Sequence, residues 1–224
     1  MPWAIIFDMD GVLVDSYRPH LESWARLARE NGLSLTEPEF ASTFGRTSRE
    51  ILREMFGLRD PEAIHRLDAR KEAIYRSLIR GRVPAMPGLR PTLEGLCEAG
   101  YRLAVGSSGP PENVRLVVSE LSLDRWFKVV ITGGDVQKGK PDPQVFLLAA
   151  DRLGVPPPNC LVVEDAPAGI EAARRAGMKS IALVGTHPAE SLQQADLVIT
   201  RLSDLTPRIA TRLLRGLAIT GDAG

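Results

Sequence analysis

The sequence predicts an α/β protein, with a parallel β-sheet core covered by helices on both faces and a small all-α domain inserted after the first strand. Short apolar runs of strand length recur along the chain, and most of them lie between segments with helical periodicity. Strands that are apolar throughout are typical of parallel sheets that are buried on both faces. Such a core is Rossmann-like, and its ligands bind at the carboxyl ends of the strands.

Six apolar runs are the candidate strands of this sheet. Each run lacks the polar and apolar alternation of a half-exposed strand, which favours full burial. A core domain is therefore predicted over residues 1–15 and 83–224, with strands at residues 4–7, 103–106, 129–131, 161–163, 181–184 and 197–199.

Residues 16–82 are predicted to form a helical cap domain, because this segment shows helical spacing of apolar residues and no good strand. A domain inserted after the first strand would lie over the strand ends as a lid that excludes water. We expect its hinges near residues 14–16 and 82–87. The apolar positions that predict its three helices are Leu21, Trp24, Ala25 and Ala28, then Ile51, Leu52, Met55 and Phe56, and then Ile64, Leu67, Ile74 and Leu78.

The composition excludes several classes of function. The chain has 28 basic and 28 acidic residues and a net charge of +0, so it offers no excess positive field to a nucleic acid or an anionic membrane. Its longest apolar run, residues 145–150, is far shorter than the roughly 20 residues of a membrane-spanning helix. No basic segment precedes the first apolar stretch, unlike in a secretory signal. We expect a cytoplasmic monomer with no nucleic-acid or membrane partner.

Two acidic pairs follow predicted strands. Asp8 and Asp10 come at the end of the first strand, and Glu164 and Asp165 at the end of the fourth. A single strand-end Asp often caps the next helix, but two pairs on separate strand ends favour a shared site. Carboxylate oxygens suit a hard cation such as Mg²⁺, which usually needs only one or two of them plus a phosphate.

A hydroxyl-rich turn and a lysine are candidates for binding phosphate. The hydroxyls and backbone amides of Ser107 and Ser108, which follow another predicted strand, can bind phosphate oxygens; an ordinary serine-rich turn is the alternative. Lys140 precedes a helix that we expect Asp142 to cap and Pro143 to start. Beside four carboxylates, its ammonium would keep a nucleophile ionised and share the phosphate charge. The alternative is a simple surface charge.

These motifs resemble those of the haloacid dehalogenase superfamily, in the branch with a helical cap after the first motif. That branch includes small-molecule phosphatases and β-phosphoglucomutase. The match spans residues 8–177, and its four motifs are DxDGV at residues 8–12, Ser107 after an apolar strand, Lys140-Pro141, and Glu164-Asp165 followed by AGIEAA.

The resemblance implies phosphoryl transfer. Asp8 would be the nucleophile that forms an aspartyl-phosphate, and Asp10 would be the general acid and base. A carboxylate can attack an anionic phosphate only if a cation and Lys140 offset the repulsion between them. Dehalogenating members lack the second Asp because an alkyl halide supplies no leaving oxygen to protonate, so dehalogenation is disfavoured here.

The same resemblance implies a cofactor site and a phosphate site. Ser107 and Lys140 would hold the transferring phosphoryl group. The implied Mg²⁺ ligands are the Asp8 carboxylate, the Asp10 backbone carbonyl, Asp165 and, directly or through water, Glu164.

Basic residues of the predicted cap are candidates for substrate contact. Lys71 lies on the apolar seam of the third cap helix, where either its ammonium reaches past the seam to water or it faces the substrate. Thr47 and Glu50 have the spacing of a capping box. That helix start would place Arg46 and Arg49 where anions bind well, and an ordinary capped helix with solvated arginines is the alternative.

The cap also resembles that of the β-phosphoglucomutase group. Ser48-Arg49 and Arg70-Lys71 match two dipeptides that contact the substrate in that group, and His20 with Trp24 matches its first cap helix. Gly45-Arg46 stands where that group typically has Lys-Gly. The candidate substrate contacts in the cap are His20, Arg46, Ser48, Arg49 and Lys71.

These observations predict a Mg²⁺-dependent phosphatase that hydrolyses a small phosphorylated metabolite, expected to be a sugar phosphate, through an aspartyl-phosphate. One alternative is a β-phosphoglucomutase, which must hold a bisphosphate, protect the aspartyl-phosphate from water and let the intermediate reorient. A catalytically silent binding protein on the same fold is a third hypothesis.

Overall fold

The computed structural model describes residues 2–43 and 48–218. The chain divides into two compact units, one formed by Met1–Asp15 with Ala85–Gly224 and the other by Ser16–Pro84. We call the first the core unit and the second the cap unit. In chain order the α-helices are α1 (Tyr17–Glu30), α2 (Glu37–Ala41), α3 (Ser48–Met55), α4 (Pro61–Ile79), α5 (Leu89–Glu98), α6 (Pro111–Glu120), α7 (Gln144–Leu153), α8 (Pro167–Arg175) and α9 (Pro207–Leu214).

The core unit contains a six-stranded parallel sheet, which confirms the predicted architecture. The strand order is β3-β2-β1-β4-β5-β6, so the first strand lies between the second and the fourth. Each predicted strand occurs, with ends that differ by at most two residues from the expected ones. The strands are β1 (Ala4–Phe7), β2 (Arg102–Gly106), β3 (Phe127–Ile131), β4 (Cys160–Glu164), β5 (Lys179–Leu183) and β6 (Leu197–Ile199).

Both faces of the sheet are covered near its centre. All four residues of β1 have an exposure of 0%, and successive side chains of a strand point to opposite faces. One face packs against α7 and α8 through a cluster that includes Ile6, Val162 and Phe146. The central strands are therefore rigidly held on two sides, and so are the residues that immediately follow them.

The start of α7 corrects one expectation. We expected Asp142 to cap this helix and Pro143 to start it, whereas α7 begins at Gln144 with Pro143 at the N-cap position. The Asp142 carboxylate still accepts a hydrogen bond from the Gln144 backbone N–H at 3.0 Å. Pro143 has no N–H to donate, so the first available donor is one residue later. Pro167 is the first residue of α8.

The cap unit is helical and has its own hydrophobic core. The three helices predicted from apolar spacing occur as α1, α3 and α4. Trp24 and Ala28 of α1, which were predicted to face inward, are buried. The buried members of the cap core are Trp24, Leu27, Phe40, Ile51, Leu52, Ile64 and Ile74.

The short helix α2 was not predicted. It is stabilised at its start by a capping box, in which Glu39 N–H donates to the Thr36 hydroxyl at 3.4 Å and Thr36 N–H donates to the Glu39 carboxylate at 2.7 Å. Phe40 is the buried residue of α2, so its five residues carry no repeating apolar pattern. Helices of this length are specified by caps rather than by periodicity.

Among the described helices, none combines the length and the apolar composition needed to cross a bilayer.

We expect Leu27→Ala to destabilise the cap by about 2–5 kcal/mol, because it removes a fully buried side chain and leaves a cavity. Leu27 has an exposure of 0% and lies in the same core as Trp24. Denaturant unfolding followed by tryptophan fluorescence measures the change in the free energy of unfolding. Leu33→Ala is the matched control, since Leu33 is 40% exposed and its loss should cost less than about 0.5 kcal/mol. Equal losses in both variants would contradict the cap core described above.

Candidate active site

The first acidic pair lies in a tight loop that begins where β1 ends. Asp8 N–H donates to the Val163 carbonyl at 2.9 Å, so the chain stays paired with β4 for one residue beyond β1. The loop then closes on itself, because the Met9 carbonyl accepts hydrogen bonds from the N–H groups of residues 12–14. The position of Asp8 is therefore fixed by the sheet, and the loop turns directly after it.

Gly11 allows this loop to approach the second acidic pair. Its φ is +73°, a conformation that side chains rarely adopt, and a Cβ at this position would lie 1.9 Å from Asp165 Oδ2. The same Cβ would lie 2.7 Å from Thr186 Oγ1. Only glycine fits both the backbone conformation and the space.

Lys140 joins the two acidic pairs. Its Nζ lies 2.6 Å from Asp8 Oδ1 and 2.6 Å from Glu164 Oε1, and it sits 4.8 Å from the centroid of the Phe146 ring. Its side chain is 9% exposed. The sequence hypothesis that Lys140 is a simple surface charge is therefore wrong.

The Glu164 carboxylate is held by contacts on both oxygens. Oε1 accepts from Lys140, and Oε2 accepts from the backbone N–H groups of Asp165 at 2.8 Å and Ala166 at 2.9 Å. Helix α8 approaches closely, since a Cβ on Gly169 would lie 1.8 Å from Oε1. Glu164 thus links Lys140 to the start of the loop that carries Asp165.

Burial raises the proton affinity of Asp8 and Asp165. It raises the pKa of Asp8 to about 7, against the opposing charge of Lys140 and with a further rise from Glu164. Burial, followed by the charges of Glu164 and Asp8, raises the pKa of Asp165 well above its ordinary value. Burial by itself would lower the pKa of Lys140, but Asp8 and Glu164 outweigh it and raise that pKa. Full ionisation of the three carboxylates would therefore place more negative charge here than Lys140 balances.

The carboxylates fit a divalent metal ion. Ligand atoms of Asp8, Glu164 and Asp165 all lie within 4.8 Å of one another, and all three residues are buried. Oxygen donors of this charge suit a hard cation, and a cation would relieve the repulsion between the three carboxylates. Metal binding by the Asp10 backbone carbonyl stays a prediction.

Ser107 and Asp10 approach the same glycine. Ser107 Oγ accepts a hydrogen bond from the Gly109 N–H at 3.0 Å. A Cβ on Gly109 would lie 3.2 Å from Ser107 Oγ and 3.8 Å from Asp10 Oδ2. Ser107 is buried, while Ser108 is exposed and its Oγ would lie 3.9 Å from a Cβ on Gly139. The hydroxyl-rich turn therefore lies beside Asp10 on one side and beside the residue before Lys140 on the other.

In the cap unit, Lys71 and His20 contact each other. Lys71 Nζ lies 2.9 Å from His20 Nδ1 and 2.9 Å from Glu72 Oε1, and the His20 ring stacks on Tyr75 at a centroid distance of 4.1 Å. The Lys71 side chain is only 4% exposed. The alternative in which its ammonium reaches past the seam to water is therefore wrong, whereas the substrate contact stays a prediction.

The other cap candidates lie at or near the start of α3. The Ser48 side chain hydrogen bonds to Asp68, and burial followed by the charge of Glu72 raises the pKa of Asp68. Arg49 is exposed. Arg46 lies outside the described residues, as does Thr47 of the predicted capping box.

Sequence reasoning missed Asp68, Thr186 and His187. The side chain of Thr186 lies beside the Asp165 carboxylate and favours its ionised form, and His187 Nδ1 lies 3.1 Å from the Asp165 backbone carbonyl. The segment after β5 carries no motif, so these contacts had no local signal. Asp68 did have a local signal. It lies one helical turn before Glu72, and two acidic residues at this spacing are unusual beside an apolar seam.

Comparison with known proteins identifies the family. A family model for haloacid dehalogenase-like hydrolases matches residues 4–177. The chain belongs to this family. The predicted superfamily resemblance is confirmed. Because relatives of this haloacid dehalogenase-like hydrolase are phosphatases and a β-phosphoglucomutase, it is an enzyme of phosphoryl transfer.

Two relatives and one solved structure illustrate the similarity. The hydrolase is 34% identical over 206 residues to the validoxylamine A 7'-phosphate phosphatase of Streptomyces hygroscopicus subsp. limoneus, a match that covers 89% of this chain and 94% of that one. It is 34% identical over 183 residues to a phosphorylated carbohydrates phosphatase of Thermotoga maritima, covering 80% and 83%. The crystal structure of β-phosphoglucomutase from Clostridium difficile matches with a TM-score of 0.82 and 28% identity, covering 96% and 98%.

We expect the metal-free hydrolase to lose stability as the pH rises from about 4 to about 7. The pKa of Asp8 is raised from 3.8 to about 7 in the folded protein, so between these values the folded state holds a proton that the unfolded chain releases. Asp8 then lowers the free energy of unfolding by up to about 1.4 kcal/mol per pH unit. Thermal unfolding in a chelator across this pH range measures the effect.

Asp165→Asn should raise the melting temperature of the metal-free protein above pH 7, because it removes one of three crowded charges. The gain should shrink at low pH, where the wild-type carboxyl is protonated. Asp124→Asn, at an exposed carboxylate, serves as the matched control and should change little. A lower melting temperature for Asp165→Asn at every pH would refute the electrostatic account.

Proposed function

We propose that this chain is a Mg²⁺-dependent phosphatase that hydrolyses a small phosphorylated metabolite, with a sugar phosphate as the substrate class. The observation that carries the proposal is the contact of Lys140 with Asp8 at 2.6 Å, beside two further buried carboxylates. The charge of Lys140 opposes the effect of burial on the Asp8 pKa and so favours the ionised nucleophile. It also leaves an ammonium beside the position of the transferring phosphate.

The proposed first step is attack by an Asp8 carboxylate oxygen on the phosphorus. The bond between phosphorus and the sugar oxygen breaks, and Asp10 gives a proton to the leaving oxygen. Lys140 and the Ser107 hydroxyl bind oxygens of the transferring group and hold it in line. The product of this step is a phosphorylated Asp8 and a free alcohol.

The proposed second step is hydrolysis of the aspartyl-phosphate. The Asp10 carboxylate takes a proton from water as the water oxygen bonds to phosphorus, and the bond from phosphorus to Asp8 breaks. Inorganic phosphate leaves, and both aspartates return to their starting states.

The residues proposed to hold Mg²⁺ are Asp8, the Asp10 backbone carbonyl and Asp165, with Glu164 acting through water. Both Glu164 oxygens already accept hydrogen bonds, which favours the water-mediated arrangement. When bound, the ion supplies positive charge that offsets the repulsion between the carboxylate nucleophile and the phosphate.

The relatives support a phosphatase over the alternatives. Two relatives at 34% identity are named as phosphatases, one of them for phosphorylated carbohydrates. The similar structure of a β-phosphoglucomutase keeps the mutase as a second candidate. Both activities would begin with the same attack by Asp8, so they differ in the fate of the aspartyl-phosphate.

A single incubation separates the two candidates. The protein is given β-glucose 1-phosphate, Mg²⁺ and a trace of glucose 1,6-bisphosphate, and free phosphate and glucose 6-phosphate are both measured. A phosphatase releases phosphate from this substrate or from others in a panel of sugar phosphates. Formation of glucose 6-phosphate without matching free phosphate would replace the phosphatase by the mutase. The absence of both glucose 6-phosphate formation and phosphate release from any sugar or aryl phosphate would favour the silent binding protein.

We expect Asp8→Asn to abolish phosphate release, because an amide cannot form the aspartyl-phosphate. Asp10→Asn should lower kcat by about 100-fold or more, since it removes the general acid and base. Asp151→Asn, at an exposed carboxylate on α7, is the control and should match the wild type. Steady-state release of inorganic phosphate measures all three, and full activity of Asp8→Asn would exclude the proposed nucleophile.

We expect Arg49→Ala to lower kcat/KM for the preferred sugar phosphate by about tenfold or more, the cost of one charge-assisted hydrogen bond. Turnover of a small aryl phosphate should change little, because it has no group for the cap to bind. Arg53→Ala changes another exposed arginine of the same helix and should affect neither substrate. Equal losses on both substrates in Arg49→Ala would contradict a part in recognition.

A further inference from the structure

The segment that follows β5 contacts Asp165 in two places. The Thr186 hydroxyl lies beside the Asp165 carboxylate, whose ionised form it favours. His187 Nδ1 lies 3.1 Å from the Asp165 backbone carbonyl, and because a carbonyl only accepts, Nδ1 is the donor. The reaction proposed above assigns no part to either residue.

We propose that Thr186 is a positioning residue that orients the Asp165 carboxylate for binding a divalent metal ion. This inference rests on the proposed function, because it presupposes the Mg²⁺ cofactor. It adds to that function a residue from the segment after β5, which bears none of the four motifs.

The carboxylates of Asp8 and Glu164 repel that of Asp165, so a contact that holds the Asp165 side chain in place would stabilise the site. Its carboxylate is buried, and it lies within 4.8 Å of ligand atoms of Glu164 and Asp8. Lys140 contacts those two neighbours at 2.6 Å. Like charges drive an unrestrained side chain away from its neighbours, whereas a hydroxyl donor on one side fixes its rotamer and stabilises its ionised form.

These groups pack closely around the loop that carries Gly11. A Cβ on Gly11 would lie 1.9 Å from Asp165 Oδ2 and 2.7 Å from Thr186 Oγ1. The nucleophile loop, the Asp165 carboxylate and the Thr186 hydroxyl therefore meet at one point. His187 contacts the backbone carbonyl of Asp165. This second contact helps to fix the position of the neighbouring Thr186 hydroxyl.

A hydrogen bond to a metal ligand tunes the affinity for the metal. Loss of such an outer contact typically costs about 10–100-fold in metal affinity. A merely structural hydrogen bond would instead lower the melting temperature and leave the affinity of the folded protein for the metal unchanged. The affinity for Mg²⁺ therefore distinguishes a positioning part from a structural one.

The test measures Mg²⁺ binding to the full chain by isothermal titration calorimetry, without substrate. Thr186→Val keeps the shape of the side chain and removes the hydroxyl, and we expect its Kd for Mg²⁺ to rise about 10–100-fold. Thr186→Ser restores the hydroxyl and should restore most of the affinity. The Mg²⁺ concentration needed for half-maximal activity should shift in parallel, with kcat at saturating Mg²⁺ little changed.

Thr211→Val is the matched control. Thr211 is half-buried like Thr186, and its hydroxyl lies 2.7 Å from the Tyr101 hydroxyl. This variant should lose some stability and keep the wild-type Kd.

Each outcome decides the inference. A Kd for Thr186→Val equal to that of the wild type, or a Thr186→Ser variant as weak as Thr186→Val, would overturn it while leaving the proposed function intact. Absence of Mg²⁺ binding in the wild type itself would overturn both the inference and the proposed cofactor. Should Thr186→Val not fold, Thr186→Ser and melting curves with added Mg²⁺ still report the affinity.

Discussion

Lys140 Nζ lies 2.6 Å from a carboxylate oxygen of Asp8 and 2.6 Å from one of Glu164, and the arrangement of the site depends on these two contacts. Asp8 and Glu164 are brought together because β1 and β4 are parallel neighbours that end at the same edge of the sheet. Two buried carboxylates at that edge repel each other, and a third, Asp165, follows directly. Without Lys140, burying these charges would lower the stability of the folded protein.

The surrounding backbone is shaped to tolerate this crowding. Glu164 accepts hydrogen bonds from two backbone N–H groups, so part of its charge is offset by the chain that carries the next acidic residue. Glycines at positions 11 and 169 provide the space, since a Cβ at either would collide with a carboxylate oxygen. Even so, the pKa of Asp8 stays raised to about 7. Burying these carboxylates together lowers the stability of the protein, and it creates a site that would attract a cation. Such a loss of stability is common where charges of one sign converge at a functional site.

The cap unit buries charge in a different way. Lys71 is paired within the cap with His20 and Glu72, and its ammonium also lies 5.4 Å from the centroid of the Trp24 ring. The buried ammonium of Lys71 thus has a partner of opposite sign and an aromatic face, which is the usual condition for burying a charge. In the core unit three buried carboxylates share the single ammonium of Lys140, so a bound cation would offset the remaining repulsion.

The strands and the acidic pairs were predictable because their signals are local. An apolar run with no polar alternation identifies a buried parallel strand, and a carboxylate directly after it must lie at the ligand-binding edge. The family resemblance added the order of the motifs. The short helix α2 was not predicted, because a capped helix with one buried residue has no apolar periodicity.

Tertiary structure alone decided which side chains meet. Asp8 and Lys140 are 132 positions apart, and His20 and Lys71 are 51 apart. Thr186 and His187 reach Asp165 only because β5 is hydrogen bonded to β4. Residue type and local pattern establish what a group can do, but its pKa and its partners come from neighbours supplied by other strands and helices, and no local pattern contains them.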